Sequence, residues 1–330
     1  MEKNKKKYPI ENFSDIYPDY DVCKLPNWIR ENIQNVKVTG YKNRSLFLPD
    51  GRHYNLCNKL NDLSGADWSK FINSTFFTAY PTRGKEGYAH ELRKKHPSPK
   101  PPQLMRDIIL FFTKENEIVL DTFMGVGGTL LGASLCNRRG VGIDLSSEYI
   151  DIYKKANSLL KLKEQRTYVG DCLSILRFNQ DFKKRFHEEK ASLILIDPPY
   201  ANMMSKEKTG GDGLILGKNG TPFTSSDKDL GNMEHNDFLK SLKCCVQSSL
   251  KYLKDKGYLV VFIKDLQPKG KDLNMLHYDI AYTLNKIKNL NYKGMKIWAD
   301  LTAKIYPYGY PYSFVANQIH QYILIFRKEF

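Results

Sequence analysis

The chain has 330 residues, 41% of them hydrophobic and 12% aromatic, enough to bury a sizeable core and to exclude wholesale disorder. Lysine and arginine number 51 against 36 acids, a net charge of +15 that favours a polyanionic partner. No amphipathic basic helix or lipidation signal supports a lipid surface, so the balance tilts to nucleic acid.

No apolar run approaches the roughly 20 residues of a membrane span. The lysine-rich start has no apolar stretch behind it, so it does not read as a secretory signal. Six cysteines show no CxxC pair, which disfavours a disulfide framework or a zinc site. A reducing cytoplasm is the expected location, and no metal site is expected.

Residues 1–20 read as a loose arm, and 21–90 mix short apolar runs with turn signals such as Pro49-Asp50-Gly51. A regular alternation then begins. Pro101-Pro102 opens an amphipathic helix with Leu104, Ile108 and Ile109 on its apolar face. Strands are predicted at 117–121, 140–144, 167–171 and 192–197. The intervening helices run from about Thr129 to Asn137 and from behind Ser146, which suits an N-cap. A helix near 237–253, a strand at 258–264, a helix carrying Leu276, Ile280 and Leu284, and strands at 294–299 and 321–327 close the chain. This alternation predicts an α/β fold, a doubly wound and mostly parallel sheet of the Rossmann-like kind. Residues 1–90 are taken as an N-terminal extension whose fold the pattern does not reveal and a candidate nucleic-acid contact, and 91–330 as the main domain. Within it, the glycine-rich segment 201–232 is a candidate recognition or lid segment.

Asp121-Thr122-Phe123-Met124-Gly125-Val126-Gly127-Gly128 lies between a strand and a helix. Glycines there let the backbone approach a ligand, and the helix start offers unpaired N–H groups. Asp144 ends the next strand, where an acid can bind both hydroxyls of a ribose, and Asp171 ends the third, where it can accept from an adenine amino group. A nicotinamide dinucleotide is the competing ligand. Against it, the third glycine of GxGxxG is replaced by Leu130, and Asp121 suits a cation better than a pyrophosphate. S-adenosylmethionine carries a sulfonium and a ribose but no phosphate.

Asp197-Pro198-Pro199-Tyr200 follows the buried strand. Two prolines cannot continue a ladder, so they force a rigid turn that fixes the Asp197 carboxylate, the Pro198 carbonyl and the Tyr200 ring against one another. The set suits an exocyclic amine: two acceptors for its N–H groups and an aromatic face for its ring.

With these residues the chain resembles the amino-group DNA methyltransferases of the restriction–modification and phage type, which act on adenine N6 or cytosine N4. Phe123–Gly127 matches their FxGxG cofactor motif and Asp197–Tyr200 their DPPY catalytic motif. His96-Pro97-Ser98-Pro99-Lys100-Pro101 is similar to their HPxxKP signature, and His320–Lys328 to their last strand, HEYILVFRK. The resemblance implies the class I methyltransferase fold with an antiparallel C-terminal strand, and S-adenosyl-L-methionine as cofactor. It implies double-stranded DNA as substrate, with the target base flipped out of the helix, and a cognate restriction endonuclease as companion. Asp197, Pro198, Pro199 and Tyr200 are then the expected catalytic residues. Lys100, Pro101, Asp121, Phe123, Gly125, Gly127, Asp144 and Asp171 are the expected cofactor contacts. One departure stands out: in the best-fitting subclass DPPY comes first, so the order here is that of a circular permutation.

Arg83, Lys85, Arg93, Lys94 and Lys95, near Phe76, Phe77, Tyr80 and Tyr88, are expected to track a phosphate backbone. Tyr306–Tyr312 is a candidate for meeting the extruded base. No cysteine follows a proline, which argues against the thiolate attack of cytosine-C5 methylation. Adenine is the favoured base. Cytosine-N4 methylation, an RNA base-amino methyltransferase and a catalytically silent cofactor- and DNA-binding subunit are the alternatives.

Overall fold

The computed structural model describes residues 9–200, 207–209, 215–218, 223–265 and 275–329. The chain divides into two units, Met1–Asn73 with Leu110–Glu115, and Ser74–Ile109 with Asn116–Phe330.

In the first unit, β1 (Glu11–Asn12), β2 (Lys37–Thr39), β3 (Ser45–Phe47) and β4 (His53–Asn55) pair antiparallel in chain order. Strands of two or three residues are too short to show alternation, so no period marks them in the sequence. Phe13, Leu25, Ile29, Val38, Leu46 and Tyr54 form the core. The expected loose arm is corrected for residues 9–20; the rest of it lies outside the described residues. Phe13 is only 3% exposed, and its ring packs against those of Tyr17 and Tyr20.

The second unit holds the large sheet, whose first five strands are β5 (Thr75–Thr78), β6 (Ile118–Asp121), β7 (Arg139–Asp144), β8 (Arg166–Val169) and β9 (Ala191–Ile196). A separate antiparallel pair follows, β10 (Glu207–Thr209) and β11 (Ile215–Lys218). It lies in the glycine-rich segment, the rest of which from 201 to 222 is outside the described residues. The large sheet is completed by β12 (Leu253–Ile263), β13 (Leu290–Asp300) and β14 (His320–Lys328). Its order is β5-β13-β14-β12-β9-β6-β7-β8, with β14 antiparallel to both neighbours and every other pairing parallel. This is the doubly wound α/β fold expected from the alternation. Residues 75–78, grouped in sequence with the N-terminal extension, pair with β13 in this sheet.

Every residue of β6 and β9 is buried, so both read as unbroken apolar runs, as central parallel strands do. Strand order reverses between them: β7 and β8 continue from β6 on one side, while β9 and β12 lie on the other. Beyond their carboxyl ends is the topological switch point, where ligands of open α/β sheets bind. Helices Pro102–Phe112, Gly128–Leu135, Ser147–Leu159 and His235–Ser249 connect the strands. Ser146 caps the third of these by accepting from the Tyr149 N–H at 3.3 Å. Among the described residues no helix is long and apolar enough to cross a membrane, and no group of three His, Cys, Asp or Glu could hold a metal.

Candidate active site

The turn after β6 is built by two left-handed glycines. Gly125 has φ +48° and Gly127 φ +77°, and Gly127 is the N-cap of the helix Gly128–Leu135. A Cβ on Gly127 would lie 2.2 Å from the Tyr153 ring, and one on Gly125 3.1 Å from His96 Nε2. Both positions therefore favour glycine on space and on backbone conformation. The turn is pinned by acids. Asp121 Oδ1 accepts from the Phe123 N–H at 2.9 Å, and Asp144 Oδ2 accepts from the Gly125 N–H at 2.7 Å. The other Asp144 oxygen takes the Ser146 N–H at 2.9 Å.

Both carboxyls are desolvated. Burial pushes Asp121 up to about 7 and Asp144 up to about 6, with the neighbouring acids Asp197 and Asp229 adding to the effect. Asp171, predicted as a strand end, stands just past β8 and caps the helix Cys172–Phe178, its Oδ2 accepting from the Ser174 N–H and hydroxyl at 2.8 Å each.

Asp197 follows β9. Its Oδ2 is 2.5 Å from Lys100 Nζ, and the two side chains are 17% and 5% exposed. Its Oδ1 accepts from the Tyr200 hydroxyl at 2.9 Å. Burial and the nearby carboxylate hold the Tyr200 phenol well above its ordinary pKa. Lys100 Nζ also lies 5.7 Å from the centre of the Phe262 ring. Lys264, just past β12, has its pKa lowered by burial and by the charge of Lys100.

One cleft gathers most of these residues. It encloses about 750 Å³, part of it open solvent. Phe123, Gly125, Asp144, Asp171, Asp197, Pro198, Pro199 and Tyr200 all line it. A smaller recess joined to it through Phe123, Gly125 and Asp197 adds Lys100 and Asp121. Gly127 stands behind the turn against Tyr153, and Pro101 lines a different cleft.

Sequence pattern does not reveal the remaining wall. Tyr149 donates its hydroxyl to the Phe223 carbonyl at 3.0 Å, and the His96 ring packs against both Tyr149 and Phe223. Asp229 is buried, accepting from Thr224 and from the Gly231 N–H. No motif marks Phe223 or Asp229, which stand more than 20 residues beyond the Asp197–Tyr200 turn whose cleft they line. Burial and the charges of Lys100 and Arg93 drive His96 down to about 3, so the imidazole is neutral and brings no positive charge to the cleft.

The cationic cluster divides. Arg83, Lys85 and Lys95 are exposed, and Lys94 pairs with Glu91 at 2.5 Å on the surface. Arg93 is corrected: it is 1% exposed, and its guanidinium donates to the carbonyls of Val126 and Lys100. There it ties the HPxxKP segment to the glycine turn and is out of reach of a phosphate.

The model for DNA methylases of the N6/N4 type matches residues 2–155, a span that contains the glycine turn and stops short of Asp197. Over that span the chain is similar to the amino-group DNA methylases. Its similarity to individual relatives is local. The type II methyltransferase M.HpaI of Haemophilus parainfluenzae is 41% identical over 68 residues, 21% of this chain and 22% of that protein. M2.DpnII of Streptococcus pneumoniae is 36% identical over 104 residues, 32% of this chain and 36% of that protein. The tRNA (guanine(10)-N2)-dimethyltransferase of Methanocaldococcus jannaschii is 30% identical over 117 residues, 34% and 32% of the two chains. The match therefore spans about a third or less of the length of these relatives.

The methylase cofactor is S-adenosyl-L-methionine, and the cleft suits it. Asp144, Asp171, Asp197 and Asp229 line the cleft, and its histidine is neutral. Against these four acids the lining holds one lysine, Lys228, so the set attracts a cation and repels a pyrophosphate.

Proposed function

We propose that this methylase transfers a methyl group from S-adenosylmethionine to the exocyclic amine of a base in double-stranded DNA, adenine N6 above cytosine N4. One observation carries the reading: the Asp197–Tyr200 turn and the Gly125–Asp144–Asp171 set line the same cleft. Acceptors for an amine thus stand beside acceptors for a nucleoside, at the reversal of strand order.

When bound, the cofactor supplies an electrophilic methyl on a sulfonium. In this reading Gly125 gives the close backbone approach while Gly127 shapes the turn from behind, Asp144 would take the ribose hydroxyls, Asp171 the adenine amino group, and Lys100 and Asp121 would flank the methionine end. Asp197 and the Pro198 carbonyl accept the two amine N–H groups, which turns the nitrogen lone pair out of the base ring and toward the methyl. Tyr200 stacks on the base. The target base must leave the duplex, because its amine cannot meet the sulfonium inside the stack. Most of the acceleration then comes from holding two reactants in line. The first unit and the exposed Arg83, Lys85, Lys94 and Lys95 are candidate DNA contacts, and a cognate endonuclease is the proposed companion.

The likeness to a tRNA dimethyltransferase keeps RNA as the second reading. The test is labelled methyl transfer to unmethylated duplex DNA and to RNA, followed by nucleoside mass spectrometry. N6-methyladenine in DNA supports the proposal in full, whereas N4-methylcytosine changes the base and label only in RNA overturns the substrate. Asp197→Ala is expected to abolish transfer and to leave cofactor binding within about threefold, because the acid acts on the amine rather than on the bound cofactor.

A further inference from the structure

Beyond β13, the chain runs through residues 301–319 before it returns as β14, at the same sheet edge that carries Asp197. Local bonds hold this connection together. Asn317 and Tyr306 exchange two hydrogen bonds, 2.9 and 2.7 Å, and the Tyr312 and Ser313 N–H groups both donate to the Gly309 carbonyl at 2.7 Å. Yet the loop leaves its rings in solvent: Tyr310 is 82% exposed, Tyr312 90% and Phe314 93%, with Ile305, Tyr306 and Tyr308 also exposed. So many large apolar side chains in one braced loop mark an interaction surface. Residues 301–319 contain no Asp or Glu and one lysine, Lys304, in a chain of net charge +15.

The strand ends at the base of this loop line a second cleft of about 670 Å³, part of it open solvent, with Trp298, Asp300, Thr302 and Gln321 in one wall. Its lining also includes Tyr80, Thr82 and Gly87, and the turn between Thr82 and Gly87 carries the exposed Arg83 and Lys85. Two cations and one acid, Glu86, thus stand exposed on a turn whose ends line the same cleft as the base of the aromatic loop. Lys100 also lines this cleft and is shared with the recess that holds Asp197, to which its Nζ is bonded.

Most polar groups in the loop-side wall are satisfied. The Trp298 indole N–H is taken by the Thr78 hydroxyl at 2.7 Å, and Asp300 Oδ1 accepts from the Thr302 N–H and hydroxyl. Gln321 differs: its Oε1 is turned away from solvent and has no hydrogen-bond partner among the described residues. A buried amide oxygen left alone is costly, so turning the amide toward an N–H donor in the cleft it lines is favourable.

We propose that the DNA substrate docks across this cleft, with its phosphates on the Arg83–Lys85 rim, Tyr310, Tyr312 and Phe314 stacking on bases opened from the duplex, and the Gln321 amide accepting an N–H from a base seated between them. This rests on the methyltransferase reading. The chemistry favours DNA over a second copy of the chain: aromatic faces on an acid-free loop, sharing a cleft with a turn that carries Arg83 and Lys85, suit unstacked bases on a polyanion.

The experiment compares the parent chain, the triple variant Tyr310→Ala/Tyr312→Ala/Phe314→Ala and Gln321→Leu. Each is assayed for binding to mixed-sequence duplex DNA by fluorescence anisotropy, for S-adenosylmethionine binding by calorimetry, for Tm, and for mass by sedimentation. The triple variant is expected to lose DNA affinity by about tenfold or more, the value of a base–aromatic stack or two, with cofactor binding and Tm unchanged. Gln321→Leu is expected to weaken DNA binding without lowering Tm, because it removes an unpaired acceptor; a merely structural glutamine would lose stability instead. DNA affinity within twofold of the parent in both variants overturns the proposal. So does a triple variant that dissociates a parent dimer and keeps its DNA affinity, or a parent that prefers RNA of the same sequence. A parent that binds cofactor but no nucleic acid fails the underlying reading itself, which is a different result from a parent that binds DNA independently of the loop.

Discussion

Asp121→Asn tests the electrostatics of the site most directly. Asp121 ends β6 fully buried, and desolvation, with Asp197 and Asp144 nearby, pushes its carboxyl from an ordinary 3.8 up to about 7. A raised native pKa means that the folded state holds a proton that the unfolded state has released between about pH 4 and pH 7. Stability contributed by this group is therefore present at low pH and lost as pH rises through the native pKa. Holding the carboxyl at about 7 rather than 3.8, at about 1.4 kcal/mol for each tenfold change in proton affinity, makes the full cost about 4 kcal/mol at pH 8. Asparagine keeps an oxygen to accept the Phe123 N–H and carries no charge. Urea unfolding of both proteins at pH 5 and pH 8.5 reads the difference. The variant is expected to gain stability relative to the parent by about 3 kcal/mol between the two pH values, since part of the cost is already present at pH 5. An equal offset at both would show that the carboxyl is not held up by burial, and the argument for a cation-seeking cleft would weaken with it.

Other consequences are as specific. Gly127→Ala places a Cβ 2.2 Å from the Tyr153 ring at φ +77°, and that ring is fixed by its hydroxyl accepting from the Gln165 N–H; a loss of about 3 kcal/mol in urea unfolding is expected. S-adenosylmethionine affinity, read by calorimetry, should rise from pH 5.5 to pH 8 and level off above about pH 7.5, because a sulfonium favours the ionised forms of Asp144 and Asp121, which burial holds at about 6 and about 7. Flat affinity over that range would refute the link. Lys100→Met removes one partner of a pair whose side chains are 5% and 17% exposed, and about 2 kcal/mol of stability should go with it. Since the ammonium bonds Asp197, kcat should fall more than cofactor affinity; the reverse would assign Lys100 to the cofactor alone.

The sheet edge is legible in the sequence because its signals are local. Each of Asp121, Asp144 and Asp197 stands at or just beyond the end of an apolar run, and parallel strands bring such ends to one side whatever the connections do. Other parts depend on partners far along the chain. β5 has four residues and lies in the sheet only because β13, near the other end of the chain, pairs with it. Arg93 reads as one of a run of surface cations, yet two carbonyl acceptors bury it. Charge alone does not say which lysine or arginine in a run turns inward. Phe223 and Asp229 carry no motif, and their place in the cleft's lining follows only from tertiary structure. Lys254-Asp255-Lys256 interrupt the apolar pattern and hide the first residues of β12, which enters the sheet at the buried Leu253 with Asp255 and Lys256 exposed.

The state of Asp197 bears on how an amine is chosen. Both of its oxygens are engaged, Oδ2 by Lys100 and Oδ1 by the Tyr200 hydroxyl. On the proposed reaction, an arriving amine takes Oδ1 from Tyr200. One O–H donor is replaced by one N–H donor, and the carboxylate is never left short of partners. The ammonium meanwhile keeps Oδ2, so the acid need not turn. A base that presents a carbonyl or a methyl at that position offers no donor, and accepting it would strand a carboxylate oxygen in a buried site. Stranding such a group costs about 1–3 kcal/mol or more, so the exchange discriminates by what it leaves unpaired rather than by the strength of the new bond. Tyr200→Phe isolates this step: without the hydroxyl, Oδ1 starts unpaired, so an amine-bearing base brings it a partner instead of exchanging one and should bind more tightly than to the parent, with the preference over a base without a donor retained. An amine-bearing base that binds the variant no more tightly than the parent would place the exchange elsewhere in the site.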